Sequence, residues 1–147
     1  MKVDAVVIDA SVTAAWLLPD EHDAAAAEVY ARVRSSTIDV HAPESWLWQC
    51  GDLIANAVRR RRVGADDAML MWSVLDAVRT RVELATPEPN QIRACLALAV
   101  DHSLTLHDAA YLWLALSLKL PLLTHDERIA AAAARQSVPT LRLQDLT

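Results

Sequence analysis

A short apolar run near the N-terminus ends abruptly at an aspartate. Residues 3–8 read Val-Asp-Ala-Val-Val-Ile, and Asp9 separates this strand-like run from a helix-like segment that begins at Ser11. A carboxylate just past the C-terminal end of a strand, where the chain switches from strand to helix, lies where open α/β sheets bind their ligands. Partner carboxylates are therefore expected after other strands of the same sheet.

Strand-like runs alternate with helical segments along the rest of the chain. Further strands are predicted at residues 37–41, 82–84, 120–124 and 140–143, and helices at 11–18, 21–34, 45–58, 65–78, 92–100, 108–118 and 130–135. Strands separated by helices form a parallel sheet that helices cover on both faces. The chain has 147 residues and no internal repeat or linker, so residues 1–147 are expected to form one domain.

Composition excludes several classes of function. No stretch of twenty apolar residues is free of charge, which argues against a membrane-spanning helix and favours a cytoplasmic protein. The net charge of −5 provides no general attraction to nucleic acid, so any such contact must be local. One basic cluster, Arg59, Arg60, Arg61 and Arg62, either closes a helix at the negative end of its dipole, the favoured interpretation, or holds phosphates.

Three aspartates occupy positions where metal ligands are expected. Asp9 and Asp126 each follow a predicted strand, and Asp108 opens a predicted helix. Because the ends of parallel strands share one edge of the sheet, the three carboxylates could converge on Mg²⁺ or Mn²⁺, which prefer oxygen ligands. Asp108 and Asp126 are each better explained alone as a helix cap, whereas the acidic residues together are less well explained in that way.

Three sequence stretches, in this order, resemble PIN-domain proteins. They are Val-Ile-Asp-Ala-Ser at 7–11, His-Asp-Ala-Ala-Tyr at 107–111 and Leu-Leu-Thr-His-Asp at 122–126, and the chain is more narrowly similar to VapC-type toxins of bacterial toxin–antitoxin pairs. The resemblance implies a three-layer α/β/α sandwich with a central parallel sheet. It also implies a Mg²⁺- or Mn²⁺-dependent endoribonuclease that hydrolyses RNA with metal-activated water, a homodimer, and an antitoxin partner.

The same resemblance implies roles for individual residues. Asp9, Asp108 and Asp126 match the acidic metal ligands of the family, and Ser11 and Thr124 match its supporting hydroxyl positions. These five residues are therefore the expected centre of a catalytic site.

One position departs from the family pattern. The family usually has a glutamate where this chain has Gln49, and Asp52 occupies the place of an asparagine. Gln49 could ligate the metal through its amide oxygen, but it lacks the negative charge of a glutamate and cannot act as a base. Asp52 lies one helical turn beyond Gln49, so it could restore the missing carboxylate and count as a further catalytic residue and metal ligand. Alternatively, the site keeps only three carboxylates and the protein is a weakened nuclease that acts by binding an antitoxin or RNA.

Two further interpretations are less favoured. A different doubly wound α/β domain could use Asp9 as a phosphoacceptor, but the second aspartate expected two residues later is absent, because Ser11 stands there. Tryptophans at helical spacing, including Trp46, Trp48 and Trp72, could stack on RNA bases, although they are more often part of a core or a dimer interface.

Overall fold

The computed structural model describes residues 2–147, which form a five-stranded parallel sheet flanked by seven helices. This is the three-layer α/β/α architecture expected from the sequence. The strands are β1 (Ala5–Ile8), β2 (Asp39–Pro43), β3 (Val82–Ala85), β4 (Leu122–Leu123) and β5 (Thr140–Leu141). The helices are α1 (Ala10–Leu17), α2 (Ala24–Arg34), α3 (Trp46–Arg59), α4 (Ala68–Arg79), α5 (Pro89–His102), α6 (Leu106–Leu118) and α7 (Glu127–Arg135).

The order of the strands places a topological switch at the centre of the sheet. The order is β3-β2-β1-β4-β5, and every neighbouring pair is parallel. The chain moves outward in one direction from β1 to β3 and then in the other direction from β4 to β5. The switch therefore lies between β1 and β4, and the carboxyl ends of these two strands form the crevice in which α/β sheets bind ligands.

The helices form two groups that cover opposite faces of the sheet. Helices α1, α2, α3 and α4 pack against one another, whereas α6 packs on β1, β2 and β4 and is itself contacted by α5 and α7. With both faces covered, the central strand is wholly apolar, and Val6, Val7 and Ile8 are fully buried. Among residues 2–147, none of the helices has both the length and the apolarity needed to cross a bilayer.

The structure corrects the predicted bounds of several elements. Helix α5 begins at Pro89 rather than Ile92, because proline is well tolerated in the first turn of a helix, and Glu88 and Gln91 form a capping box there. The predicted helix at 65–78 starts as a short 3₁₀ turn at Ala65–Asp67. The predicted last strand at 140–143 ends after two residues and continues as a 3₁₀ turn at Leu143–Leu146.

A hydrogen bond between buried side chains fixes α3 against α1. Trp46, the first residue of α3, is fully buried and donates from Nε1 to Oγ1 of Thr13 at 2.8 Å. The Thr13 hydroxyl in turn donates to the backbone oxygen of Asp9 at 3.3 Å. Trp48, two residues later on the same helix, is 80% exposed. The two tryptophans therefore have opposite roles, and only Trp46 belongs to the core.

Replacing Trp46 with phenylalanine should destabilise the fold, because it removes this hydrogen bond and leaves a void. We expect Trp46→Phe to lower the free energy of unfolding by about 2 kcal/mol. The matched control, Trp48→Phe, should change it by less than about 0.5 kcal/mol. Urea unfolding followed by circular dichroism measures both values, and equal effects of the two substitutions would contradict the assignment of Trp46 to the core.

Candidate functional site

Asp9 caps helix α1 at the carboxyl end of the central strand. Its Oδ1 accepts hydrogen bonds from the Ser11 and Val12 amides at 3.1 and 3.3 Å and from the Ser11 hydroxyl at 2.5 Å. Its Oδ2 accepts from the hydroxyl of Thr124 at 2.6 Å. These bonds make Asp9 the N-cap of α1 and hold its carboxylate at the topological switch.

The Asp9 carboxyl is buried and holds its proton more tightly than an ordinary aspartate. Only 1% of the residue is exposed. Burial raises its pKa from the usual 3.8 to about 6, against the opposing effect of its hydrogen bonds with Ser11, Thr124 and Val12, and the nearby Asp126 raises the pKa further. Burying an ionised carboxylate without a cationic partner costs free energy, and a bound cation would reduce that cost.

Asp126 lies beside Asp9 because two hydrogen bonds join the loop after β4 to the loop after β1. The Thr124 hydroxyl that donates to Asp9 also accepts from the Asp126 amide at 3.0 Å. The Ser11 hydroxyl accepts from the His125 amide at 2.9 Å. Asp126 itself caps α7, since its Oδ1 accepts from the amides of Arg128 and Ile129. Ser11 and Thr124 thus position both aspartates.

Asp108 and Asp126 approach each other around the guanidinium of Arg128. The Nη2 atom of Arg128 lies 3.5 Å from Oδ2 of Asp108 and 3.6 Å from Oδ2 of Asp126. The two acidic side chains are 16% and 26% exposed, whereas that of Arg128 is 65% exposed. The guanidinium is exposed and its distances to both carboxylates are long, so it is a weakly held counter-ion of the two carboxylates.

Gln49 faces the same region and is held by a tyrosine. The hydroxyl of Tyr111 on α6 donates a short hydrogen bond to Oε1 of Gln49. Burial raises the pKa of Tyr111 well above its usual range, and the nearby Cys50, Asp9 and Asp108 raise it further. Tyr111 therefore stays protonated as a donor beside the carboxylates. Its bond uses one of the two lone pairs of the amide oxygen through which Gln49 could ligate a cation.

The structure does not bring Asp52 to the other aspartates. Its side chain is exposed and lines a shallow groove on the outer side of α3, formed by Leu47, Trp48, Gly51 and Trp72. No contact described for residues 2–147 joins Asp52 to Asp9, Asp108 or Asp126. Asp52 lies three residues beyond Gln49 on α3, which turns its side chain by about 60° from the direction of Gln49. The hypothesis that Asp52 replaces the missing glutamate therefore has no support from a contact.

Comparison with known families decides what kind of domain carries this site. The family model of the PIN domain matches residues 6–135. The chain belongs to the PIN domain family. PIN domains are typically metal-dependent nucleases. The resemblance inferred from the motifs at residues 7–11, 107–111 and 122–126 is confirmed at the level of the family. Comparison with curated proteins gives no match.

Two solved structures share the fold of this PIN domain. PAE2754 from Pyrobaculum aerophilum superposes with a TM-score of 0.71 at 20% identity, over 99% of this chain and 93% of the other. FitAcB from Neisseria gonorrhoeae superposes with a TM-score of 0.61 at 17% identity, over 95% of this chain and 98% of the other. At such identities the likeness supports the fold, and the chemistry of the site must be argued from its own residues.

The donor chemistry of this site fits a hard divalent cation. Asp9, Asp108 and Asp126 offer carboxylate oxygens, which suit Mg²⁺ and Mn²⁺. In the part of the chain that the structure describes, no three acidic, histidine or cysteine side chains are arranged as ready ligands of one ion. Arg128 lies between two of the three carboxylates, so a cation that replaced the guanidinium would require these side chains to rearrange.

Sequence reasoning missed two residues of the site. Arg128 lies in the first turn of α7 just after Asp126, and Tyr111 follows Asp108 by one turn of α6, so helical spacing could have indicated both. His125 has a structural role, because its Nε2 accepts from the amide of Leu143 at 3.3 Å. Burial lowers its pKa and favours the neutral ring that this bond requires.

The raised pKa of Asp9 should make stability depend on pH in a recognisable direction. Because its pKa in the folded state, about 6, lies above the usual 3.8, the protonated carboxyl stabilises the fold. This contribution is complete below about pH 4 and is lost as the pH rises through about 6. The nearly isosteric Asp9→Asn removes the titration. Relative to this variant, metal-free wild type should lose up to about 3 kcal/mol of unfolding free energy by about pH 8.

Urea unfolding in the presence of a chelator, at several pH values, measures this difference. Asp52→Asn serves as the control, because it removes an aspartate that is exposed. Its stability should follow that of wild type at every pH. A difference between wild type and Asp9→Asn that stays constant with pH would contradict the assigned environment of Asp9.

Proposed function

We propose that this PIN domain is a divalent-metal-dependent endoribonuclease and the toxin of a toxin–antitoxin pair. The observation that carries the proposal is a pair of links beside the switch between β1 and β4: Thr124 joins Asp126 to Asp9, and Arg128 lies between Asp126 and Asp108. The nuclease character of the PIN family and the VapC-like order of the motifs support it. We propose Asp9, Asp108 and Asp126 as the residues that hold Mg²⁺ or Mn²⁺.

The residues around the proposed cation site have distinct tasks. A bound divalent cation would supply charge neutralisation on the phosphodiester and a more acidic water. With a cation beside it to balance its buried negative charge, Asp9 stays ionised at neutral pH. Ser11 and Thr124 orient its carboxylate. Tyr111 orients Gln49 by donating to its amide oxygen, and the NH₂ end of the amide remains available to donate to a substrate oxygen.

A weakened nuclease is the second candidate, and the Gln49 contact favours it. A glutamate at this position would add a fourth negative charge, whereas Gln49 adds none and its oxygen already accepts a hydrogen bond from Tyr111. With Asp52 outside the site, three carboxylates remain to bind the metal. The protein would then act chiefly by binding its antitoxin or RNA.

Exposed apolar side chains support the proposal of protein partners. Trp48, Met69 and Leu70 on α3 and α4 are between 66% and 80% exposed. Ile92, Leu96 and Val100 repeat every four residues along α5 and are also exposed. Clustered apolar side chains on a surface indicate contact with other proteins. We propose that an antitoxin and a second copy of this chain are these partners.

Cleavage of RNA should depend on Asp9. We expect purified protein to cleave a fluorescent single-stranded RNA in the presence of Mn²⁺ or Mg²⁺, and a chelator to abolish the cleavage. Asp9→Asn should reduce the rate by more than about 100-fold, since it removes a charge from the cation site. Asp4→Asn, at an exposed aspartate before β1, is the matched control. Equal rates for Asp9→Asn and wild type would contradict the assigned site.

The two candidate functions differ in the role of position 49. If the site lacks a carboxylate there, Gln49→Glu should tighten Mn²⁺ binding in calorimetry and increase cleavage. Asp52→Asn should leave both unchanged, because its side chain lies outside the site. Loss of metal binding in Asp52→Asn would instead show that Asp52 completes the ligand set. Absence of Mn²⁺ binding by wild type, with binding restored in Gln49→Glu, would establish the weakened nuclease.

A further inference from the structure

An acidic protein that cuts RNA needs a local basic surface beside its acidic site. The net charge is −5, and the three site aspartates add to the repulsion of a polyanion. The basic surface must therefore adjoin these aspartates and have no acidic side chain in its own lining. The structure contains three candidate surfaces, which differ clearly in these two properties.

The arginine cluster after α3 does not meet these conditions. Arg59 lies ten residues beyond Gln49, which places it about 15 Å further along the helix axis. Arg62 is already neutralised, because it donates to Asp20 at 2.8 and 2.9 Å and to Glu21 at 2.7 Å. This cluster is thus remote from the site, and one of its charges is engaged.

The depression beside β5 does not meet them either. It has a volume of about 190 Å³ and adjoins Asp126, and it contains Arg142. Glu127 and Asp145 line it together with Asp126, so its charge is negative overall. A phosphate would meet more carboxylates than arginines there.

The depression between α5 and α7 meets both conditions. It has a volume of about 280 Å³ and is lined by His102, Ser103, Arg128, Ala131, Ala132 and Arg135. None of these lining residues, all within the described part of the chain, is acidic. Its size lies just below the range of about 300–1,000 Å³ usual for small-molecule pockets.

The spacing of the two arginines places one positive charge at each end of this depression. Arg128 and Arg135 are seven residues apart, so they share one face of α7 and lie about 10 Å apart along its axis. Arg128 touches Asp108 and Asp126 at one end. Arg135, in the last turn of α7, has no ion pair within residues 2–147 at the other end. The small side chains of Ala131 and Ala132 leave the surface between them open.

We propose that Arg128 and Arg135 form a phosphate track that guides the RNA backbone along α7 to the carboxylate site. This inference rests on the proposed nuclease function and specifies how its substrate is held. Arg128, displaced from Asp108 and Asp126 when a cation binds there, contacts a phosphate next to the one that is cut. Arg135 contacts a phosphate further along the strand, and neither residue reads the sequence of bases.

Arg135 provides the sharper test, because it does not touch the carboxylates. Arg135→Gln should weaken binding of a fluorescent single-stranded RNA by about twofold to fivefold at low salt. It should also reduce the slope of log affinity against log salt concentration by about 0.7, the value for one phosphate contact with a single strand. Fluorescence anisotropy in the Asp9→Asn background measures binding without cleavage under the proposed function.

Arg34→Gln is the matched control. Arg34 also lies in the last turn of a helix, so the substitution has the same effect on the helix dipole, but α2 belongs to the layer on the opposite face of the sheet. We expect its RNA affinity and salt slope to equal those of the Asp9→Asn parent. Equal behaviour of Arg135→Gln and Arg34→Gln would overturn the phosphate track.

A DNA oligonucleotide of the same sequence separates phosphate recognition from recognition of ribose. If Arg135→Gln reduces the affinity for RNA and for DNA by the same factor, the result supports a phosphate contact, whereas a loss confined to RNA overturns it.

Failure of the track and failure of the nuclease proposal are distinguishable. If the protein cleaves RNA and Arg135→Gln has no effect on binding, only the phosphate track is contradicted. If wild type does not cleave RNA but binds it through Arg135, only the nuclease function is contradicted. If wild type does not bind RNA, both proposals are contradicted.

Discussion

The carboxylate of Asp9 is the interaction on which the rest of the site depends. Its two oxygens connect the start of α1, through Ser11 and Val12, with the loop after β4, through Thr124. Through Thr124 the same network fixes the amide of Asp126 and hence the first turn of α7. The cost of burying this charge appears in its pKa of about 6. The hydrogen bonds offset part of that cost, and a cation would offset the remainder, so the arrangement favours binding over maximal stability.

The parallel sheet and its covering helices were predictable from the sequence because its strand-like runs are short and strongly apolar. Apolar runs such as residues 5–8 are too short for helices and too uniformly apolar for a half-exposed strand, which leaves a buried parallel strand between covering layers. The ends of elements were less predictable. Strand β4 shrank to Leu122–Leu123, and α5 began at Pro89, because hydrogen bonding at an element's end depends on neighbours that are distant in sequence.

The candidate site was predictable only as far as strand ends determine it. Asp9 and Asp126 follow neighbouring parallel strands, so their proximity is a consequence of topology. The surroundings of Asp52 depend instead on the rotation of α3, which the burial of Trp46, Cys50 and Ile54 sets. Helical spacing of three residues puts Asp52 near Gln49 along the axis but turns it outward. Sequence alone also gave no indication that Tyr111 would occupy the amide oxygen of Gln49, because that contact joins two helices in different layers.

Gln49 and Arg128 affect the charge of the site in the same direction, because both make it less negative. A cluster of four carboxylates would bind a cation tightly and repel a phosphodiester strongly when the cation is absent. Replacing one carboxylate with Gln49 lowers that repulsion, and Arg128 neutralises part of what remains. Because the guanidinium is exposed and lies 3.5 and 3.6 Å from its partners, it is held loosely enough for a divalent cation to compete. On the proposed nuclease model, weak cation binding and a nearby arginine are therefore complementary, since the charge missing from the metal site is matched by a positive group that the RNA backbone can use.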